Sequence, residues 1–141
     1  MNRVYTAGLS RLLQAGLTGL GNGEVMLVGP DFSFDLTDSS TPSGELTDAG
    51  YSRATAAYSI VVDVEANYPR VSIDVSTVSF AGFDSAADGV HGMVFLLSDG
   101  TPLASVDTSS SIEQFPFTAS SGDPITVDVS SVGLIRLVTQ G

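Results

Sequence analysis

The sequence predicts an all-β fold, a β-sandwich or flattened barrel with one short helix at its N-terminal end. Many short segments alternate between apolar and polar residues, which is the period of a strand with one buried face. Residues typical of turns separate these segments at short intervals, as in sandwiches and barrels. We therefore expect a single domain at residues 1–141, with the helix at 3–15 and the β-sandwich at 24–139.

The predicted helix at residues 3–15 has an apolar stripe along one side. Its members lie at positions i, i+4, i+7 and i+8, and Gly16 follows as a stop signal. A helix of this length is only marginally stable alone, so we expect it to dock on the sheet or on a neighbouring subunit. The stripe consists of Tyr5, Leu9, Leu12 and Leu13.

Residues 24–50 combine a short apolar strand with a long polar connection. Residues 24–28 form a compact apolar run that predicts a buried strand, and Gly29-Pro30 ends it. We interpret the polar residues 31–50 as a long surface loop. Three apolar residues alternate inside this loop and indicate either a short strand or an anchored loop: Phe32, Phe34 and Leu36.

Residues 58–75 carry the clearest strand signal, a pair of half-buried strands joined by a turn. In both 58–65 and 71–75 the apolar and polar residues alternate. Asn67 tolerates a left-handed backbone and Pro69 fixes its own φ, which favours a turn at this point. The apolar face needs a cover, which we expect the remaining segments to provide. On the first strand that face holds Tyr58, Ile60, Val62 and Val64.

The pattern changes on both sides of this hairpin. Tyr51 is expected to open the long strand that runs into it. After Val75 the next apolar position is Val78, a step of three where two is expected. A slip of this kind predicts a bulge or a strand break near residues 76–77.

The second half of the chain predicts further short strands separated by loops. Residues 91–97 are apolar on both faces after Gly92, as in a central strand. The Asp99-Gly100 turn leads into a partner strand at 103–106. Loops are predicted at 82–89, 108–111 and 120–124, and strands around Phe115 and Phe117, at 125–129 and at 134–138.

The composition excludes several classes of partner. The chain of 141 residues has a formal net charge of −11, with five arginines and no lysine, so we expect no nucleic-acid partner. It has no cysteine for disulfides or thiolate chemistry. It also has no apolar run of the roughly 20 residues that a membrane helix needs, and we expect neither a membrane partner nor a secretory signal.

No constellation of residues points to catalysis, so we predict that the protein is not an enzyme and holds no cofactor or metal. His91 is the sole histidine, and no nucleophile elbow surrounds a serine. Asp63 and Asp74 could face each other across the hairpin, but acids on the exposed face of a sheet usually serve solubility. One acidic segment could ligate calcium, although its spacing fits no EF-hand and favours a solvated loop: Asp31, Asp35 and Asp38.

Several short motifs follow one another along nearly the whole chain. After the helix and the apolar strand, the polar loop closes on Gly-Glu-Leu and then Gly-Tyr-x-Arg. An Asp-x-x-x-Val-x-Phe segment and a Gly-x-Val-Phe strand come next, and an Asp-Gly hairpin leads to Pro-Leu-Ala-Ser-Val-Asp. A Gly-Leu-Ile-Arg segment stands near the end. In this sequence the motifs occupy residues 44–46, 50–53, 74–80, 92–95, 102–107 and 133–136.

In this order the motifs resemble a family of short virion structural proteins of tailed double-stranded DNA phages. The chain departs from the family pattern at Phe80 and Val129, which stand where tryptophan is frequent. The resemblance implies a capsid decoration or cement protein that is assembled in the host cytoplasm and lies on the capsid surface of the virion, bound to the major capsid protein. A neck, tail or baseplate component is the alternative.

We hypothesise that such a protein clamps the junctions between major capsid subunits. A homo-oligomer, specifically a trimer around local threefold axes, would suit this place because a symmetric site favours a symmetric binder. The helix stripe would then form part of the interface. A carbohydrate-binding β-sandwich is a further alternative, although the chain lacks tryptophan and has only four tyrosines. Candidate contacts to acidic partner surfaces are Arg3, Arg11, Arg53, Arg70 and Arg136.

Overall fold

The computed structural model describes residues 3–15, 22–65, 67–83, 85–107, 115–119, 122, 124–127 and 135–138. Within these ranges the chain forms strands and one short helix, which confirms the predicted all-β class. The helix is α1 (Thr6–Ala15). The strands are β1 (Arg3–Val4), β2 (Asn22–Val28), β3 (Ala54–Glu65), β4 (Tyr68–Val75), β5 (Val78–Phe80), β6 (Ser85–Val90), β7 (Gly92–Leu96), β8 (Pro102–Asp107), β9 (Phe117–Ala119), β10 (Ile125–Val127) and β11 (Ile135–Val138).

Seven of these strands form one antiparallel sheet that curls into a half-barrel. Their order across the sheet is β1-β8-β7-β2-β3-β4-β11. Two small sheets, β10-β5 and β6-β9, each contain two antiparallel strands. The large sheet therefore has the shape of a half-barrel, in agreement with the predicted all-β class.

The middle of the large sheet is buried on both faces, which explains why β7 and β8 are buried along their whole length. Successive residues of a strand point to opposite faces, so sequence neighbours separate into two apolar clusters. On one face Leu27 and Phe95 join the main core, to which β5 and β10 also contribute. On the other face Met26 and Val94 pack around the fully buried Tyr5.

The polar connection at 31–50 covers this second face of the sheet. Phe32 and Phe34 pack against the small cluster, and the ring centroid of Phe34 lies 4.6 Å from that of Tyr5. Leu36 is exposed, and no strand forms between residues 32 and 36. Of the two possibilities left open by the alternation, the structure has the anchored loop.

The N-terminal helix begins at Thr6, so the prediction of a helix from residue 3 was wrong for its first residues. Strand β1 pairs antiparallel with β8, and the amide of Tyr5 donates to the Leu103 carbonyl at 3.0 Å. This extended start places the Tyr5 side chain inside the second cluster. The helix then docks on its own sheet so closely that a Cβ at Gly8 would lie 2.3 Å from the Pro102 carbonyl oxygen.

Two other predicted boundaries were wrong for local reasons. The long strand opens at Ala54, because the amide of Tyr51 closes a turn onto the Asp48 carbonyl at 3.1 Å. The predicted loop at 82–89 contains β6, which pairs with β9 across an irregular register. Predictions for residues 108–111, 120–121, 123, 128–129 and 134 lie outside the described residues.

The central hairpin and its end are confirmed. Strands β3 and β4 pair over their whole facing length, from Tyr58 opposite Val75 to Glu65 opposite Tyr68. Asn67 has a φ of 71°, the left-handed backbone that the turn prediction required. The strand break after β4 separates it from β5, where the spacing of apolar residues changes.

Candidate interaction surface

One apolar face runs along the β3–β4 hairpin and β11, from the core toward the hairpin tip. Residues that lie directly opposite each other in an antiparallel sheet share a face. The register places Ile73 between Ile60 and Ile135, and this row packs in the main core. The next rows toward the tip pair Val62 with Val71, and Val64 with Pro69.

Toward the tip this apolar face loses its cover. Ile73 is 3% exposed, whereas Val62 is 71% and Val64 is 69% exposed. Val71, which lies opposite Val62, is half-buried. The prediction that the remaining segments cover the apolar face was therefore wrong for the outer part of the hairpin, as far as the described residues show.

The cover ends because the hairpin is longer than its neighbour. Strand β2 pairs with β3 only between Ala54 and Ala57, so the outer two thirds of β3 has no contact to β2 in the sheet register. On the main-core face the inner part of the sheet is covered by residues of the small sheets, among them Phe80 and Val127. The signal in the sequence was the difference in strand length: the apolar alternation of β3 extends over more residues than that of β2, which could have indicated an uncovered tip.

The opposite face of the hairpin carries mainly polar residues. Val61 lies there and is partly exposed, and Ser59 lies opposite Asp74. Asp63 lies opposite Arg70, so the predicted facing of Asp63 and Asp74 was wrong. Because these positions differ by four residue pairs along the ladder, the two acids cannot form a catalytic pair across the hairpin.

The uncovered apolar strip of Val62 and Val64, with Val71 beside it, has the properties of a contact surface. Valine side chains are stiff at χ1, so little conformational entropy is lost when a partner covers them. Their backbone is fixed by the ladder of the hairpin. A contiguous exposed apolar patch on a strand pair is typical of a protein–protein contact site.

The helix stripe predicted as an interface lies mostly inside the subunit. Tyr5 is fully buried and Leu12 is nearly so, while Leu9 is half-buried against the main core. The side chain of Leu13 lies outside the described part of the chain. The helix therefore offers a partner little of this stripe, and its outward side is the polar one.

Three of the predicted contact arginines form ion pairs within the chain. Arg3 pairs with the buried Asp107. Arg11 Nη2 lies 2.9 Å from Asp99 Oδ2, and both side chains are about half exposed. The structure places the backbone of Arg70 in β4 and that of Arg136 in β11, and their side chains lie outside the described residues.

The third, Arg53, belongs to a network formed by the Gly-Glu-Leu and Gly-Tyr-x-Arg motifs. Arg53 donates from Nε and Nη2 to the two carboxylate oxygens of Glu45 at 2.8 and 2.9 Å. Tyr51 donates its hydroxyl to Glu45 at 2.8 Å and accepts from the Leu27 amide at 3.0 Å. β3 pairs with β2 only as far as Val25, and beyond that residue the two motifs provide the hydrogen-bond partners along the edge of β2.

The network changes the acidity of its members. Hydrogen bonding from Arg53 holds the pKa of Glu45 below its ordinary value, against the opposing effect of burial. Burial raises the pKa of Tyr51. Hydrogen bonding to Glu45 raises the pKa of Arg53, so Arg53 and Glu45 both stay ionised near neutral pH.

Other indications of function are few. The described residues contain no group of three or more histidine, cysteine or acidic side chains placed to hold a metal, and this includes Asp31, Asp35 and Asp38. Among the described helical residues, none form a helix long and apolar enough to span a bilayer. The chain matches no family model, no curated protein and no solved structure.

Proposed function

We propose that the protein is a non-enzymatic virion structural protein, a capsid decoration or cement protein that adheres to major capsid subunits through the tip of its β3–β4 hairpin. The observation that carries the proposal is the exposure of Val62 and Val64 on an otherwise buried apolar face. The order of sequence motifs, which resembles phage virion proteins, supports the same assignment.

The physical properties of the hairpin suit adhesion. A rigid strand pair can present an apolar strip without paying a large ordering entropy on binding. The apolar strip is small, so one copy would bind weakly, and several copies on one symmetric site would bind more strongly through effective concentration. This argues for a homo-oligomer on the capsid surface, with a trimer at local threefold positions as the specific form.

The surface charge supports a protein partner. The net charge of −11 disfavours phosphate backbones and favours a partner surface that is neutral or basic. Arg3, Arg11 and Arg53 are already paired with acids of the same chain, so the charge presented outward is dominated by the remaining carboxylates.

Immunogold electron microscopy tests the proposal. An antibody raised against the purified chain is applied to virions from a host that carries the gene, with pre-immune serum as the control. A decoration protein predicts gold particles distributed over the whole shell. Gold at one vertex or along the tail would instead identify a neck or tail component, and unlabelled virions would contradict a virion role.

A further inference from the structure

The outer part of β3 has one edge that pairs with no strand in the described part of the chain. On one side β3 pairs with β4 from Tyr58 to Glu65. On the other side β2 pairs with β3 only between Ala54 and Ala57. An edge of this kind presents backbone N–H and C=O groups with which a further strand can pair.

The antiparallel ladder fixes the direction of the backbone groups along this edge. Successive residues of such a strand point their N–H and C=O groups alternately to one side and to the other. The Ala57 carbonyl accepts from the Ser76 amide at 3.3 Å and so points toward the β4 side. The odd-numbered residues that follow share this direction. The N–H and C=O groups that point to the open edge belong to even-numbered residues, among them Ile60, Val62 and Val64.

This edge lacks several features that keep strands from adding to an edge. Natural edges are protected by proline, by β-bulges or by being very short. Strand β3 has twelve residues and no proline. Its register with β4 runs from Tyr58 to Glu65 without a shift. Side chains on both faces are exposed here, Val61 by 41% and Val62 by 71%, so a strand of another molecule can approach in the plane of the sheet.

We propose that the outer edge of β3 pairs antiparallel with the same edge of a second copy of this chain. Val62 lies at the twofold axis, opposite Val62 of the partner subunit. Ile60 then lies opposite Val64 of the partner subunit, and the reverse holds by symmetry. Each of these residue pairs exchanges two N–H···O=C hydrogen bonds, because all of its backbone groups point to the shared edge.

Strand β2 excludes registers that are centred closer to the core. Residues directly opposite each other must share a face of the joint sheet, so the twofold axis passes through a residue and not between two. Centring the pairing on Val61 would bring Glu65 opposite Ala57 of the partner subunit, a position at which β2 already pairs. Centring on Val62 keeps the partner strand beyond this point.

Charge excludes registers that are centred closer to the hairpin tip. Centring on Asp63 would set two aspartates directly opposite each other. Centring on Val64 would set Asp63 opposite Glu65 of the partner subunit. Like charges in such positions destabilise a sheet. Centring on Val62 instead sets Asp63 opposite Val61 of the partner subunit, so steric and charge constraints leave the same register.

This pairing uses backbone atoms and leaves the apolar side chains on their own face. The exposed strip of Val62 and Val64 therefore continues across the axis into the strip of the partner subunit. The inference does not depend on a place in a virion. It concerns the free chain and predicts a dimer for it, whereas the threefold arrangement proposed on the capsid would form through other surfaces.

Cysteine cross-linking tests the register. The chain has no cysteine, so Val62→Cys supplies a single thiol. In the proposed dimer the two Cα atoms at this position lie about 5.5 Å apart, within the range of about 4.4–6.8 Å that a disulfide spans. We expect a mild oxidant to convert Val62→Cys to a covalent dimer that a reducing agent separates.

Val64→Cys is the matched control, because Val64 lies on the same face and is 69% exposed against 71% for Val62. In the proposed dimer the two Cα atoms at position 64 lie about 14 Å apart along the strands, too far for a disulfide. We therefore expect Val64→Cys to cross-link at least about fivefold more slowly than Val62→Cys. Circular dichroism of both reduced variants checks that they fold as the wild type does.

Sedimentation velocity tests the pairing without a thiol. The mean mass of the wild type should rise with concentration from 14.5 kDa toward twice that value. Val62→Pro removes an N–H group from the open edge and none that faces β4, so it should stay monomeric where the wild type is dimeric. If this variant disturbs folding, the cross-linking rates still decide the register.

The inference is overturned if the wild type stays monomeric at all concentrations, if its mass rises to that of a trimer, or if Val64→Cys cross-links as fast as Val62→Cys. A dimer with the expected cross-link that leaves virions unlabelled would contradict the capsid role alone. Labelled virions with a monomeric free chain would contradict the edge pairing alone.

Discussion

The hydroxyl of Tyr51 donates to the carboxylate of Glu45, six positions earlier in the chain, at 2.8 Å, and this contact joins two sequence motifs into one structural unit. The same hydroxyl accepts from the Leu27 amide at 3.0 Å. It therefore satisfies a donor on β2 that no strand reaches, because β3 pairs with β2 only as far as Val25.

Removing this hydroxyl should destabilise the protein. In Tyr51→Phe the amide of Leu27 loses its acceptor and Glu45 loses a donor, so we expect a loss of about 1–2 kcal/mol in the free energy of unfolding. Urea denaturation followed by circular dichroism measures it.

Tyr5→Phe is the matched control for this measurement. The hydroxyl of Tyr5 is buried and has no hydrogen-bond partner, so its removal should leave stability unchanged or raise it by up to about 1 kcal/mol. Equal losses in the two variants would contradict the role given to Tyr51.

Stability should depend on pH through Glu45. Its pKa is lowered in the folded state, chiefly by hydrogen bonding from Arg53, so the ionised carboxylate stabilises the fold above its ordinary pKa of about 4.5. That contribution is lost as the pH falls through the lower folded-state value. Glu45→Gln should be less stable than the wild type at neutral pH and should lose less stability on further acidification.

Urea midpoints at neutral pH and at about pH 3 give this comparison directly. Native circular dichroism of Glu45→Gln at neutral pH is the control for folding. An unchanged difference between the two proteins at both pH values would show that Glu45 does not carry this dependence.

Two positions on one apolar face should respond differently to the same substitution. Ile73 is 3% exposed and Val62 is 71% exposed. Ile73→Thr removes buried apolar volume and buries a hydroxyl, and should cost about 2–4 kcal/mol of unfolding free energy. Val62→Thr keeps the β-branched shape on an exposed strand, and should change it by less than about 0.5 kcal/mol.

Both variants can be compared by thermal and urea denaturation of the purified protein. A large loss in Val62→Thr would mean that this side chain is covered by the protein's own residues. The assignment of the hairpin tip as an exposed contact surface would then be wrong.

Gly8→Ala should destabilise the protein even though alanine is the better helix former by about 1 kcal/mol. A Cβ at this position would lie 2.3 Å from the Pro102 carbonyl oxygen and 2.5 Å from the Leu103 Cα, both of them backbone atoms of β8. The helix would have to move off the sheet. A melting temperature equal to or above that of the wild type would show that α1 does not dock so closely.

The alternation of residues was sufficient to predict most strands, because burial of one face imposes the period of two wherever a core lies on one side. Residue type predicted the left-handed backbone at Asn67, and the change in apolar spacing predicted the break after Val75. The alternation could not predict that Val62 and Val64 are exposed, because the period shows which face is apolar and not how far the cover extends.

The candidate sites depend on contacts between residues far apart in sequence. Arg3 meets Asp107 across 104 positions. No local pattern marks such a meeting. The helix stripe was identified correctly as apolar, but its burial on the sheet, as for Tyr5, follows from tertiary packing alone.

The number of copies bound per virion tests most directly whether the hairpin tip holds the protein on the capsid. Virions are assembled with wild-type protein, with the double variant Val62→Thr/Val64→Thr, or with Val61→Thr on the opposite face of the same strand. Quantitative mass spectrometry of purified particles counts the copies relative to the major capsid protein. We predict that the double variant is depleted from the particles while Val61→Thr remains at the wild-type number, and wild-type occupancy of the double variant would contradict the account.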